Sequence, residues 1–300
     1  MKTQMDHKPS NYRLLTTAIL ASGFSVMLSM VIALPSWAGD PFRASKPKAI
    51  GPEAQAAFEL MFKQGNYPAA TKQLNKALRT EAGDPLVQGL KASLAYMEQD
   101  YGSMQIYANK TRIAAQKIME SDPLRGHLYI GVSYLIEAGF VITTKGIVGG
   151  TPEALGLIQK QLDEIKAAQE IDPNDPELNL IKGYMDMLIA SVLPLSDLEG
   201  ALTSLRSSSP EYLKWRGIAL GYRDAKKNDQ ALDAIDKALA SAPNNPELNY
   251  LKGQILWAKD NLDEAKRHYR LALSKSKQLL PSLTKQINSE CTTLTGTSCL

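Results

Sequence analysis

The chain has 300 residues, 44% hydrophobic and 22% charged, and its 34 basic and 31 acidic side chains give a net charge of +3. Such a composition excludes a disordered chain, and so small a net charge offers no strong field to nucleic acid or an anionic membrane.

Residues 1–38 read as an export signal. Lys2, Lys8 and Arg13 form a basic start, Leu14–Leu34 is uncharged, and Ser36-Trp37-Ala38 sets small residues before a cleavage point after Ala38. The alternative is a retained anchor, because 21 uncharged residues just reach across a bilayer. Pro35 and the Thr, Ser and Gly residues diluting the run favour cleavage. Losing three basic residues and Asp6 leaves a net charge of +1. The expected location is periplasmic or otherwise extracytoplasmic, with no nucleic-acid partner and no membrane insertion once the signal is gone.

Residues 39–50 show no periodicity and read as a linker, and 51–280 read as a helical repeat array. At 51–84, Phe58, Met61 and Phe62 face Ala70, Leu74, Ala77 and Leu78 across a Gly65-Asn66-Tyr67 turn, at the spacings of amphipathic helices. The unit 85–122 repeats the scheme around Asp100-Tyr101-Gly102. In 123–172 an apolar run through Phe140, Val141 and Ile142 meets a glycine-rich stretch, Thr143–Gly150, expected as a long interhelix loop before Thr151-Pro152-Glu153 restarts a helix. The unit 176–209 follows, with its first helix ending near Leu193-Pro194. Units 210–245 and 246–279 are the most regular, and 281–300 hold a capping helix, carrying Lys285 and Glu290 outward, and a cysteine-bearing tail.

One stretch occurs twice at an offset of 70. Pro173-Asn-Asp-Pro-Glu-Leu-Asn-Leu-Ile-Lys-Gly183 returns as Pro243-Asn-Asn-Pro-Glu-Leu-Asn-Tyr-Leu-Lys-Gly253. Each copy supplies a Pro that stops one helix, a cap (Asp175, Asn245), a Pro for the next first turn and an acid for its dipole. Both are expected to be structural joints.

Counted from Tyr212, the unit 212–245 has Trp215 at place 4, Ile218 at 7, Ala219 at 8, Tyr222 at 11, Ala231 at 20, Ile235 at 24, Ala238 at 27 and Pro243 at 32. This resembles the tetratricopeptide repeat, in which small residues let two helices approach and large ones fill the gaps. The resemblance covers about 230 residues and implies an all-α, right-handed α-solenoid of about five to six antiparallel helix pairs. In general appearance the chain is also similar to a group of cyanobacterial extracytoplasmic repeat proteins. Trp215 is expected in the core. In that family the first helix of each pair lines a concave groove. The matching places here carry Leu180, Tyr184 and Met187, then Leu213, Arg216, Leu220 and Arg223, then Tyr250, Gln254 and Trp257. The family's Lys/Asn clamp for a terminal carboxylate is absent.

No nucleophile, phosphate-loop or metalloprotease motif is present. His127 and His268 lie far apart, without metal-ligand spacing, and are expected on the surface or in the groove. The expectation is therefore a non-catalytic protein without metal or cofactor. It binds a protein or peptide partner through Tyr184, Arg216, Leu220, Arg223, Tyr250, Gln254 and Trp257, in envelope or membrane-complex assembly. The alternative is a small-molecule or glycan-binding protein with a pocket near 141–152. Cys291 and Cys299, flanking a flexible polar tract in an exported chain, are expected to form a local disulfide.

Overall fold

The structure, a computed structural model, describes residues 39–192 and 198–299. The expected export signal with its cleavage point, and the helix end at Leu193-Pro194, lie outside the described residues. Ala38–Leu300 form one compact unit.

That unit is all-α, and its helices follow one another in antiparallel pairs. They are α1 (Pro52–Phe58, prolonged by a π turn, Glu59–Lys63) with α2 (Tyr67–Thr80), then α3 (Pro85–Met97) with α4 (Tyr101–Lys117). Next comes α5 (Pro123–Ile171), then α6 (Pro176–Val192) with α7 (Leu198–Arg206), and α8 (Glu211–Asp224) with α9 (Asn228–Ser241). The last pair is α10 (Pro246–Ala258) with α11 (Leu262–Leu273), closed by α12 (Pro281–Thr295). Proline opens most first helices because the missing N–H costs nothing there, and Asp84, Asp122 and Asn245 cap through side-chain oxygens. Four of the turns inside pairs use one left-handed residue, Gly65, Gln99, Lys226 or Asp260. Alanines at the helix crossings, among them Ala70, Ala77, Ala231, Ala238, Ala265 and Ala272, are fully buried and let the helices touch.

Several expectations need correction. The Thr143–Gly150 stretch is no long loop: helix runs on both sides of Gly146, whose φ of 73° reverses the chain in one residue. A Cβ on Gly150 would come within 3.0 Å of the Val141 carbonyl oxygen, so the two arms of α5, 123–145 and 147–171, lie against each other at the reversal. Trp215 is only half-buried; its indole N–H donates to Glu211 at 2.7 Å and the Lys237 ammonium covers its ring. The capping helix, Pro281–Thr295, takes in Cys291 itself, and the chain turns at Gly296 to close the expected Cys291–Cys299 disulfide. Residues 39–50, expected as a linker, form no helix yet pack onto the array, with Phe42 against Phe58 and Ile50 in the core.

The two joints hold this arrangement together. At the first, Arg43 donates Nε and Nη2 to Asp175 at 2.8 Å, Nη2 to Glu177 at 2.9 Å and Nη1 to Asp40 at 2.7 Å. Glu177, wholly buried, also receives the Tyr129 hydroxyl at 2.7 Å and Arg125 Nε at 3.1 Å, and Arg125 Nη2 reaches Asp84 at 3.0 Å. Burial pushes the Glu177 carboxyl up, but the Arg125 and Arg43 charges outweigh it and hold it below the ordinary glutamate value. Asp84, whose Oδ2 is buried without a partner, moves the other way, because burial outweighs Arg125. At the second joint, Asn245 Nδ2 donates to the Phe62 carbonyl at 2.9 Å and Glu247 accepts from the Tyr67 hydroxyl at 2.6 Å and from Arg216 Nη2 at 2.9 Å. The first helix pair is thereby docked on a joint about 180 residues later.

Candidate partner-binding cleft

Beyond that docking point the surface holds an open cleft. Arg223 near the end of α8, Gln254, Trp257 and Ala258 on α10, and Glu290 on α12 line a cleft of about 500 Å3. A polar chain crosses it. Arg223 Nη1 donates to Gln254 Oε1 at 2.8 Å, and Gln254 Nε2 donates to Glu290 Oε2 at 3.1 Å. Below it, Glu290 accepts the hydroxyls of Tyr250 at 2.5 Å and Tyr269 at 3.0 Å. Burial and the Glu290 charge raise both phenols well above their ordinary value, so both remain donors. Arg223 also donates Nε to Asp224 at 2.8 Å. Trp257 packs edge-on toward Tyr269, centroids 6.4 Å apart, and forms the apolar wall. A cation, an anion, an amide and an indole thus stand within one opening. Those groups complement peptide carbonyls, amides and an apolar side chain, the contacts by which interfaces are anchored.

Three of the seven residues expected in the groove, Arg223, Gln254 and Trp257, meet here. The other four do not present themselves. Tyr250 is buried beneath the cleft and supports Glu290. Leu220 is half-buried against the core. Arg216 is taken up by Glu247 in the docking of the first pair. The Tyr184 hydroxyl donates to the Leu213 carbonyl at 2.8 Å, and burial pushes it up to about 12. Leu180 and Leu213 are buried too. The physical reason is local satisfaction: the returning first pair, the capping helix and the neighbouring helices each supply a partner that takes one of these side chains.

Glu290 was expected on the outer side of the capping helix, yet it faces α10. The signal was in the sequence, since Leu283, Ile287, Glu290, Cys291 and Leu294 follow a helical stripe and Ile287 and Cys291 are buried. His268, expected on the surface or in the groove, is buried. Its Nδ1 lies 3.0 Å from Asn249 Oδ1, and burial, with Lys252 and Arg267 nearby, depresses it to about 4. His127 Nδ1 lies 2.7 Å from Glu164 Oε2. Among the described residues, no group of three or more His, Cys, Asp or Glu is placed to hold a metal ion. A second, smaller cleft of about 300 Å3 lies along α11 between Asp263, Lys266, Arg267, Arg270 and Leu271. Neither cleft is lined by residues 141–152.

Residues 222–278, from the end of α8 through α11, match the tetratricopeptide repeat family. A stretch of 122 residues is 28% identical to the human protein O-mannosyl-transferase TMTC1, covering 39% of this chain. The chain spans 14% of the length of that curated relative. Among solved structures the chain is similar to a thermophilic TPR protein of Thermus thermophilus, with 16% identity, a TM-score of 0.32, and coverage of 81% of this chain and 96% of that one. It is similar also to the TPR2AB domain of yeast Sti1 in its pHSP90 complex, with 16% identity, a TM-score of 0.33, and coverage of 82% and 97%. The family match falls on the two most regular helix pairs, whose turns and alanine crossings recur in the earlier ones, and residues 222–278 of this chain are tetratricopeptide repeats.

Proposed function

We propose that this chain is a non-catalytic protein-interaction scaffold working outside the cytoplasmic membrane. It holds an extended peptide or a helix of a protein partner in the cleft of Arg223, Gln254, Trp257, Ala258 and Glu290, in envelope or membrane-complex assembly. The observation carrying this reading is that cleft: an open site combining both charges, an amide and an indole on the inner faces of α8, α10 and α12. The closed Cys291–Cys299 pair supports an oxidising compartment, in keeping with the export signal read in residues 1–38. The mannosyl transfer named for the human relative belongs to a protein of which this chain spans 14%, and it is not carried over. The alternative, a small-molecule or glycan site near 141–152, has less to support it, because that region is a helical reversal packed through Ala138, Val141 and Ala154.

The test is a crosslinking pull-down from an envelope extract with residues 39–300 and with the Arg223→Ala/Gln254→Ala/Trp257→Ala variant, both checked for unchanged helicity. The reading predicts a partner held by the native chain and lost from the variant. Equal recovery of every captured protein would rule the cleft out.

A further inference from the structure

The second feature facing outward is the reversal of α5. An 18-residue window in this helix has a mean hydropathy of 1.3, as apolar as a membrane span, yet only 28% of it is buried. A core helix of that hydropathy is mostly buried. The exposure concentrates at the tip, where Ile147 is 75% and Val148 93% exposed. The arms there have a small core of their own, Ala138, Val141 and Ala154 with Phe140, Ile142, Leu157 and Ile158, separate from the main core.

The polar groups at the tip are already satisfied. Thr143, Thr144 and Thr151 donate their hydroxyls to the Gly139, Phe140 and Ile147 carbonyls one turn back. Lys145 and Glu153, the only charged residues between Ala138 and Gln159, pair with each other. The threonine hydroxyls therefore give up few bonds to water when the tip leaves it, while Lys145 and Glu153, each about half exposed, stay at headgroup level. Its reach is short. A Cβ on Gly139 would stand 3.4 Å from Met104 at the start of α4, and the six residues on to Lys145 carry the arm about 9 Å further. That equals the depth at which interfacial helices sit in a bilayer, roughly 5–10 Å, and is far short of the ~30 Å needed to cross one.

We propose that the α5 tip, through Ile147 and Val148, inserts into the interface of a lipid bilayer and seats the array on a membrane surface. A lipid surface fits better than a protein pocket because the tip is convex, carries a neutral charge pair and leaves no polar side chain to be read. Because the tip brings no net charge, binding should not depend on anionic headgroups.

The test uses residues 39–300, the compact unit without the N-terminal apolar run, in flotation with vesicles of phosphatidylcholine alone and of phosphatidylcholine with phosphatidylglycerol. The expected result is binding to both at similar strength, insensitive to salt and weakened at least about ten-fold by Ile147→Ser/Val148→Ser. Both positions are exposed, so helicity should not change. A Val148→Trp variant should shift its emission to the blue on either vesicle. The proposal is overturned by no flotation, by equal flotation of the serine variant, or by binding only to the anionic vesicles that salt reverses. A tip-dependent dimer in sedimentation without vesicle binding would assign the tip to a second copy of the chain instead.

Discussion

The two joints share eight of eleven residues and differ at the cap, aspartate at 175 and asparagine at 245. Each cap still does the common work: Asp175 accepts from the Leu178 N–H, Asn245 from those of Glu247 and Leu248. What differs is the segment each receives. The first joint faces a guanidinium, Arg43, and needs two carboxylate oxygens. The second faces the carbonyls of Phe62 and Lys63, left without partners where α1 ends in its π turn, and needs a donor. A carboxylate at 245 would meet carbonyl oxygens with no hydrogen to offer, and an amide at 175 would face Arg43 without its charge. One exchanged atom type therefore matches each cap to the N-terminal segment docked on it.

The largest expected effect lies at the first joint. Glu177→Ala removes the buried carboxylate that Arg43 and Arg125 share and should cost about 3–5 kcal/mol in urea unfolding of residues 39–300. Glu247→Ala, which frees one arginine, the partly exposed Arg216, beside the neutral Tyr67, should cost about 1–3 kcal/mol. Equal losses would erase the distinction between the joints. Exchanging the caps comes next. Asn245→Asp and Asp175→Asn should each cost about 1–3 kcal/mol, and Asp175→Ser should lose the Arg43 contact while keeping the helix cap.

Acid should dissociate the joints in two windows. His268 bonds Asn249, whose Nδ2 donates to the Asn245 carbonyl, so it belongs to the second joint. Its folded value of about 4 lies below the ordinary 6.5, so its contribution is whole above 6.5 and is lost as the pH falls toward 4. Glu177 is held below 4.5, so its contribution is present above 4.5 and is lost as the pH falls through its folded value. Asp84, raised above 3.8, works against that second loss, because its protonated form fits the fold better. Stability measured against pH should lose the upper slope in His268→Asn and the lower one in Glu177→Gln. A profile unchanged by either substitution would contradict these assignments.

The smallest effect concerns the turn that touches the second joint. Gly65 and Lys226 share a φ near 60°, but a Cβ on Gly65 would meet Asn245 Oδ1 at 2.9 Å. Gly65→Ala should cost roughly 1–2 kcal/mol, whereas Lys226→Ala, exposed, should stay within about 0.5 kcal/mol. If the two matched, the approach of Gly65 to Asn245 would be in doubt.

Helix pairs, their caps and the register of the inner faces were legible in the sequence, because capping, proline placement and alanine crossings are local. Arg223, Gln254 and Trp257 followed from that register. What was not legible rests on distance along the chain. Nothing near Arg43 marks it as the partner of a glutamate 134 residues later. A lone Arg among two prolines and several charges reads as linker. Arg216 and Tyr184 have the character of binding anchors, yet Arg216 is spent on Glu247, where the first pair returns, and Tyr184 on the Leu213 carbonyl. Thr143–Gly150 read as loop for its glycines, although Gly146 alone makes the turn and the threonines bond back to their own helix.

The account stands most directly on whether the N-terminal segments are docked at their joints. Hydrogen–deuterium exchange of residues 39–300 reads this at Phe42 and Lys48, whose N–H groups donate to Asp40, itself held by Arg43. Both should be protected in the native chain and in Asn245→Asp, and should lose protection in Asp175→Asn. Exchange of both amides at the rate of an unstructured chain in the native protein would contradict the account.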